Sequence, residues 1–330
     1  MVSYNKMPLL INVAKLYYES GYSQNEIAQQ LGISRPYVSK LLMMAREENV
    51  VSIKIQDPLQ TESRLEHDIR SFFQLRRVIV TPSKVGENHL FTLGEATAKY
   101  LDSIVKKDDI VMAGWGRTIY AVSKKVIERS DLENVTVVSM GGIPTNFTQN
   151  VFGFEPVVNL AGAWCGMPYI LPAPVMIRDP EAREGFLREQ SIAEVMEYME
   201  RANIALFTMG DLNRSSYWTQ KGYMTDEEWQ HIMEQEAVGD VCLHILNKEG
   251  NICDETIDKK LIALPLEKIK QKEYRIGVAS GREKIDITYA ALKAGIINVL
   301  IVDEDIAKAV IVHLHQEGRY GEQAEFIPSR

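Results

Sequence analysis

The chain has 330 residues, of which 45% are hydrophobic and 25% are charged, and its formal net charge is −8. This length predicts two or three domains, and the composition excludes disordered, fibrous and repeat-built proteins. The negative charge argues against indiscriminate nucleic-acid binding, and acidic residues interrupt the longest apolar runs well before the roughly 18 residues needed to cross a membrane. Residues 1–10 lack the pattern of a signal peptide, so we expect a cytoplasmic protein without membrane contact.

Residues 22–51 have the organisation of a helix-turn-helix motif. Ser23 and Glu26 form a capping box that begins the first helix. Gly32 supplies the positive φ of a tight turn, and Ser34 caps the second helix. Both helices are amphipathic, so the segment predicts a small helical domain.

The spacing of Ala28, Gly32 and Val38 strengthens this prediction. A small residue is needed where the two helices cross, a glycine makes the turn, and a branched apolar residue seats the second helix. A preceding amphipathic helix over residues 9–21 would supply the third wall of the core.

The face of the second helix opposite its apolar side suits DNA. The stretch 27–46 contains Arg35, Lys40 and Arg46 and no acidic residue, although residues 1–57 together have a balance of only +1. Cationic side chains bind guanine edges and phosphates, and hydroxyls bind either. We predict DNA binding, and a solvated helix of a small helical subdomain is the alternative. The predicted DNA-binding residues are Gln24, Ser34, Arg35, Tyr37, Ser39 and Lys40.

Two domains are predicted, because an Asp-Pro pair interrupts the chain at their junction. We expect residues 1–57 to form the helix-turn-helix DNA-binding domain and residues 58–330 to form a second, larger domain. Residues 50–57 would be a short strand that could serve as a wing. The capping box of Ser63 and Glu66 begins another amphipathic helix, which would either pack on the large domain or contribute to a dimer interface.

The large domain has alternating strand and helix patterns. Its β-branched strand segments are 76–83, 108–114, 135–142, 203–211, 275–281 and 298–305. Helical patterns lie between most of them, at 95–107, 118–130, 191–202 and 284–296. This alternation predicts the α/β class with a largely parallel sheet covered on both faces.

Glycines end four of the predicted strands, and the carboxyl ends of parallel strands meet at one sheet edge, where ligands bind. With Thr118, Asp211, Asp240 and Lys284 near these glycines in sequence, we predict a binding pocket with a backbone floor. Glycines that merely cap strands are the alternative. The glycines concerned are Gly114, Gly116, Gly141, Gly142, Gly210 and Gly281.

The turn 114–118, GWGRT, has the spacing G-x-G-x-T. This differs from the dinucleotide fingerprint and from the P-loop, so we predict neither NAD nor ATP. A single phosphate held by N–H groups and the Thr118 hydroxyl fits the turn better. Arg117 would either pair with that phosphate or be solvated. The polar stretch 211–230 would be a lid over the pocket or plain surface.

The three cysteines are Cys165, Cys242 and Cys253, and they fit a reducing compartment without a disulfide framework. Cys242 with His244 and Cys253 lacks zinc-site spacing, as does the HLH sequence at 313–315. We expect no metal and no cofactor.

Seven segments in order carry a family resemblance over nearly the whole chain: 23–42, 114–118, 137–142, 171–175, 202–210, 236–250 and 278–307. Together they resemble the SorC family of sugar-responsive bacterial transcriptional regulators. That family is related to the central-glycolytic, deoxyribonucleoside and autoinducer-2 regulators.

The resemblance implies a Rossmann-like C-terminal domain similar to sugar-phosphate isomerases and CoA transferases, with a phosphorylated sugar or related effector bound at the strand ends. It also implies a homo-oligomer, either a dimer or a tetramer, in which effector binding changes the affinity for operator DNA. Lys284 and the backbone turns would neutralise phosphate, and Asp240 would accept hydrogen bonds from hydroxyls. Matching positions are Gly114, Gly116, Thr118, Gly141, Gly142, Asp240 and Lys284, and the full predicted effector-binding set adds Arg117, Gly210 and Gly281.

Ser280 and the turn 208–212 depart from the usual pattern of the family beside this site. As an enzyme, a sugar-phosphate isomerase would need a general base, for which Asp240 or Asp211 could serve. A catalytic domain rarely carries a DNA-reading helix, so we expect a sensor and no enzyme. A constitutive DNA-binding scaffold with a vestigial pocket is a third alternative.

Overall fold

The structure is a computed structural model that describes residues 7–47, 50–51, 63–83, 88–143, 151–212, 218 and 223–318. The chain divides into two compact units, Met1–Thr61 and Glu62–Arg330. Most of the strand predicted at 50–57 lies outside the described residues.

The N-terminal unit contains three helices: α1 (Met7–Tyr18), α2 (Gln24–Leu31) and α3 (Arg35–Glu47). Apolar side chains spaced three and four residues apart face one another, so the helices share one small core. The buried residues of that core are Leu10, Val13, Ala14, Ile27, Ala28, Val38, Leu41, Leu42 and Ala45.

Local hydrogen bonds explain where these helices begin and end. Ser23 Oγ accepts from the Glu26 N–H at 3.3 Å, and Glu26 Oε2 accepts from the Ser23 N–H at 2.8 Å, which is the predicted capping box. Gly32 ends α2 with φ 62°, in the left-handed region that glycine adopts without strain. Ser34 Oγ accepts from the Tyr37 N–H at 3.4 Å at the start of α3.

The larger unit is built on a sheet whose seven main strands are all parallel, in the order β1-β9-β8-β5-β2-β3-β4. A hairpin of two more strands extends from the end of β5 through antiparallel pairing. The strands are β1 (Arg77–Thr81), β2 (Ile110–Ala113), β3 (Thr136–Ser139), β4 (Met167–Tyr169), β5 (Ile204–Gly210), β6 (Ala237–Val241), β7 (His244–Asn247), β8 (Tyr274–Ala279) and β9 (Val299–Asp303).

Eleven helices of the described residues accompany this sheet. They are α4 (Arg64–Phe73), α5 (Asn88–Ile104), α6 (Arg117–Ser123), α7 (Val151–Ala163), α8 (Pro180–Leu187), α9 (Gln190–Arg201), α10 (Asp226–Glu234), α11 (Glu255–Asp258), α12 (Leu266–Lys270), α13 (Ile285–Lys293) and α14 (Glu304–Gln316). The first of them, α4, packs on β1 and α14 with Ile69 fully buried. Of the two alternatives for this helix, packing on the large domain is therefore observed.

Both faces of the sheet are buried, which confirms the predicted α/β class. In β9, Leu300 and Val302 join one core cluster while Val299 and Ile301 join the other. Alternate side chains of a strand point to opposite faces, so a continuous apolar run fits a sheet covered on both sides.

A third, smaller cluster lies around the β6–β7 hairpin. It contains Val175, Trp218, Leu243, Ile245 and Leu261, with Trp115 packed against its edge. This satellite cluster is separate from the two cores that cover the sheet.

The structure corrects parts of the predicted element list. All six predicted strands are present, but β4, β6 and β7 were not predicted. The helix expected over 118–130 ends at Ser123. The β6–β7 turn is formed by Cys242 and Leu243, with φ 53° and 76°. Such turns usually contain Asn or Gly, so the usual hairpin signal is missing from the sequence.

Candidate functional site

A cavity of about 360 Å³ lies at the carboxyl edge of the parallel strands. It is bordered by the turns that follow β2, β3, β5 and β8 and by the tip of the β6–β7 hairpin, as expected for an open α/β sheet. Eight predicted effector-binding residues line it: Gly114, Gly116, Arg117, Thr118, Gly141, Gly210, Asp240 and Lys284.

Two predicted residues, Gly142 and Gly281, are not among the residues that line the cavity. The Gly142 N–H donates to the Ile262 carbonyl at 2.9 Å, and a Cβ at Gly142 would overlap the Pro174 carbonyl. Gly281 has φ +100°, and its N–H donates to Asp303 Oδ2 at 2.8 Å. Both glycines thus shape the backbone beside the cavity.

The GWGRT turn differs from the expected phosphate cradle in one respect. The Gly114 N–H donates to the Leu206 carbonyl at 2.7 Å, and the Gly116 N–H donates to the Phe152 carbonyl at 2.8 Å. These two N–H groups are therefore already used within the protein. An anion at this turn would meet the first N–H groups of α6, which lack intrahelical partners, and the side chain of Thr118, which is 6% exposed.

Lys284 brings a positive charge to the cavity wall. It lies in a 3-10 turn after β8, and its Nζ donates to Thr208 Oγ1 at 3.3 Å. Burial lowers the pKa of Lys284, and the nearby carboxylates of Asp211, Glu283 and Asp240 oppose this effect. The ammonium group is thus surrounded by carboxylates in a poorly hydrated position.

Asp240 faces the same cavity from β6. Its Oδ1 accepts a hydrogen bond from Trp218 Nε1 at 3.1 Å, and the carboxylate lies against Gly210, where a Cβ would overlap it. Burial raises the pKa of Asp240 to about 6, although Trp218 and the charge of Lys284 favour the ionised form. A carboxylate in this setting accepts hydrogen bonds readily, because it has lost much of its water.

The hairpin tip forms another part of the wall. Cys242 and Leu243 both line the cavity, and burial raises the pKa of the Cys242 thiol well above its usual range, so this side chain is a neutral apolar surface. The next residue, His244, is buried and anchors the tip. Its Nδ1 lies 2.7 Å from Asp258 Oδ1, and its Nε2 lies 2.8 Å from the Leu264 carbonyl.

Several lining residues were not among the predicted binding residues. They are His89, Trp115, Thr208, Trp218, Ser280 and Glu283. Trp115 could have been predicted from the sequence, because it lies inside the GWGRT turn that was assigned to the site. Trp218 belongs to the stretch 211–230, of which residues 213–217 and 219–222 lie outside the described residues. Its place in the wall could not be inferred without the hairpin beside it.

The predicted DNA-binding residues lie on one part of the N-terminal unit. Ser34, Arg35, Ser39 and Lys40 are exposed, whereas Gln24 and Tyr37 are half-buried. The Ser34 hydroxyl is partly occupied as the cap of α3. The exposed face of α3 is therefore cationic and polar, as the periodicity of the sequence predicts.

Two other classes of site are absent from the described part of the chain. No group of three or more His, Cys, Asp or Glu side chains there could hold a metal ion. No helix in those residues has the length and apolar character needed to span a membrane. All three cysteines are free.

Comparisons with known proteins agree over most of the chain. Residues 57–312 match the family described as "Putative sugar-binding domain". The deoxyribonucleoside regulator of Bacillus subtilis (strain 168) is 34% identical over 310 residues, which cover 93% of this chain and 98% of that protein. The sorbitol operon regulator of Klebsiella pneumoniae is 25% identical over 308 residues, covering 92% and 97% of the two chains.

The fold is also similar to that of solved structures. The full-length sorbitol operon regulator SorC from Klebsiella pneumoniae superposes with a TM-score of 0.75 at 24% identity. The match covers 94% of this chain and all of that chain.

Proposed function

This chain belongs to the SorC-type family of sugar-binding transcriptional regulators, and from that premise we propose that it controls a carbohydrate or related catabolic operon. It would bind operator DNA and respond to a phosphorylated sugar-type effector. The observation that carries the proposal is that one chain contains both a cationic, exposed helix and a polar cavity at the carboxyl edge of a parallel sheet. Coupling such a cavity to DNA binding is what a regulator requires.

For DNA binding, the proposed recognition helix is α3 within a domain of residues 1–57. Its buried side, which includes Val38 and Leu41, leaves Arg35, Ser39 and Lys40 exposed. One such module would bind weakly, so we propose a dimer or tetramer that places paired helices in successive major grooves. The protein would act in the cytoplasm.

For effector binding, the proposed domain is residues 58–330, similar to sugar-phosphate isomerases and CoA transferases. The described cavity lining carries the cations Arg117 and Lys284 together with three carboxylates, Asp211, Asp240 and Glu283. Mixed charge of this kind suits a ligand that has an anionic group and several hydroxyls. The cations and the first turn of α6 would hold the phosphate, and the carboxylates would accept hydrogen bonds from the sugar.

The names of the relatives support a sugar-related effector, since one is called a deoxyribonucleoside regulator and another a sorbitol operon regulator. Aromatic rings are suitable partners for the apolar faces of sugars, and Trp115 and Trp218 line the cavity. Backbone and side-chain groups together therefore offer both polar and apolar contacts.

The test has two stages. Purified protein is screened by thermal shift against phosphorylated sugars and the matching free sugars, because a ligand at 100 times its Kd adds about 2.7 kcal/mol of stability. DNA selected by the protein from a random duplex library is then titrated with and without the stabilising compound. We expect a shift with a sugar phosphate and a change in DNA affinity. Stabilisation by free sugars alone would contradict the proposal that the effector is phosphorylated. Failure to select any DNA would contradict the proposal that the protein is a transcriptional regulator.

A second candidate is an isomerase-like enzyme, which the pKa of about 6 for Asp240 favours, since a general base works best with a pKa near the operating pH. Incubating the protein with each stabilising sugar phosphate and following the sugar by NMR tests this candidate. We expect the ligand to remain unchanged. Conversion that Asp240→Asn abolishes would establish the enzyme instead.

A further inference from the structure

Ser280 follows β8 directly and lines the cavity, yet its hydroxyl has no hydrogen-bond partner in the described part of the chain. The residue is 6% exposed, and its Oγ is buried and hydrogen-bonded to no atom of the residues that the structure describes. A buried hydroxyl without a partner destabilises the folded state, because it has given up its hydrogen bonds to water. Alanine would fill nearly the same space without that cost, so folding alone does not explain a serine here.

Two other buried hydroxyls, those of Ser139 and Thr288, are hydrogen-bonded within the protein. Ser139, at the end of β3, has an Oγ that accepts from the Leu171 N–H at 2.8 Å. Thr288, in α13, has an Oγ1 that donates to the Lys284 carbonyl at 2.7 Å. Ser280 differs from both because it is itself a residue of the cavity wall and its Oγ has no hydrogen-bond partner among the described residues.

The backbone at Ser280 is held in place. The next residue, Gly281, adopts φ +100°, and its N–H donates to Asp303 Oδ2 at 2.8 Å. Asp303 is itself buried and caps α14 through the Ile306 N–H at 2.9 Å. The backbone that carries the Ser280 side chain is therefore held by the hydrogen bond between the following residue, Gly281, and Asp303.

We infer that Ser280 is an effector-contacting residue whose hydroxyl donates a hydrogen bond to an oxygen of the bound sugar phosphate. The inference rests on the proposed function and deepens it. A serine hydroxyl rotates to suit its partner, so it can serve an oxygen of the phosphate or of the sugar. A ligand that lacks this oxygen leaves Ser280 unpaired, which makes the residue a determinant of specificity.

The experiment compares wild type, Ser280→Ala and the matched control Ser139→Ala as full-length proteins. Calorimetric titration uses inorganic phosphate, D-ribose 5-phosphate, 2-deoxy-D-ribose 5-phosphate, D-glucitol 6-phosphate and the free sugars. For the probes that wild type binds, we expect Ser280→Ala to weaken binding about tenfold. Ser139→Ala should leave these affinities unchanged.

Thermal unfolding of the free proteins separates a binding role from a structural one. Ser280→Ala should melt at the wild-type temperature or above it, whereas Ser139→Ala should melt below it. A Ser280→Ala protein that melts as low as Ser139→Ala, or that binds every probe as wild type does, overturns the inference while the proposed function stands. Wild type that binds no probe overturns the sugar-phosphate effector of the proposed function and the inference with it.

The probes also identify the oxygen. Weakened binding of inorganic phosphate by Ser280→Ala assigns it to the phosphate group. Unchanged binding of inorganic phosphate with weakened binding of the sugar phosphate assigns it to the sugar.

Discussion

The Asp303 carboxylate accepts the Gly281 N–H at 2.8 Å through Oδ2, while its Oδ1 accepts the Ile306 N–H at 2.9 Å at the start of α14. One buried side chain thus joins the turn beside the cavity to a helix that packs on α4, the first helix of the larger unit. The turn and this helix are therefore mechanically connected through a single residue.

Asp303→Asn should remove one of the two hydrogen bonds by which residue 303 joins the Gly281 turn to α14. The amide retains one acceptor oxygen, so its NH₂ group must face one of the two N–H donors. We expect a loss of about 1–3 kcal/mol in the free energy of unfolding and weaker effector binding, since the turn that holds Ser280 and Lys284 is loosened. Urea unfolding and calorimetric titration measure the two effects.

Asp305→Asn, at the exposed pair with Arg282, is the control and should change stability by less than about 0.5 kcal/mol. Equal effects of both variants would contradict the role of Asp303.

Asp240→Asn should stabilise the free protein at neutral pH. Burial raises the pKa of Asp240 from 3.8 to about 6 in the folded state, so ionisation costs stability as the pH rises through this window. The amide has no such cost and can still accept from Trp218. We expect the variant to exceed wild type by roughly 1–3 kcal/mol at pH 8 and to lose this advantage as the pH falls towards 4.

Urea unfolding of wild type and Asp240→Asn at pH 8, 6 and 4 provides the measurement. The same variant should bind the sugar phosphate more weakly, because an amide is a poorer acceptor for hydroxyls than a carboxylate. A stability difference that is independent of pH would show that the Asp240 carboxyl is not the titrating group.

Lys284→Met and Thr118→Val should retain DNA binding and lose the effector response. The Lys284 ammonium group is half-buried against Thr208, and a hydrogen bond to a charged group is worth about 1.5–3 kcal/mol. We therefore expect effector binding to weaken roughly ten- to a hundredfold for Lys284→Met and less for Thr118→Val. Fluorescence anisotropy on the selected DNA, with and without effector, measures both properties. An unchanged response in both variants would exclude the assigned cavity.

Arg35→Ala and Lys40→Ala should abolish tight DNA binding without unfolding the protein. Both side chains are exposed on α3, so their removal leaves the core of the N-terminal unit intact. Loss of a phosphate contact should reduce the slope of log K against log salt concentration by about one. Loss of a base contact should relax the sequence preference. Lys15→Ala on α1 removes the same charge from an exposed position and serves as the control. Operator binding that survives both α3 changes would show that another surface reads the DNA.

Six of the seven parallel strands are predictable from the sequence because they are short β-branched runs that end in glycine or an acid, whereas β4, Met167–Tyr169, is not such a run. Both faces of such strands are buried, so residues like Val299 and Leu300 read as a continuous apolar segment. The β6–β7 hairpin is not predictable in this way, since Cys242 and Leu243 adopt left-handed conformations that are rare for such side chains. Anchoring of His244 by Asp258 and Leu264, far away in sequence, holds this turn instead.

The cavity follows largely from topology, because parallel strands bring the turns after them to one edge. Topology alone does not show whether a residue near this edge lines the cavity or packs away from it. That depends on contacts with residues that are distant in sequence. Gly142 looks like its neighbour Gly141 in sequence, yet only contact with Pro174 shows that it serves packing. Ser280 lies in the cavity wall next to Gly281, whose N–H is bound by Asp303, and no local pattern reveals this arrangement.

The cavity also lies where two apolar clusters meet. Its walls include Met140, Phe207 and Met209 from a main core and Trp218 and Leu243 from the satellite cluster. Enlarging a void inside one close-packed core would separate side chains that interdigitate. Here the cavity lies between two clusters, so we expect substitutions in its wall to change its volume while the packing within each cluster is kept. Ligand size is thus a property that the chain can adjust without rebuilding the sheet beneath it.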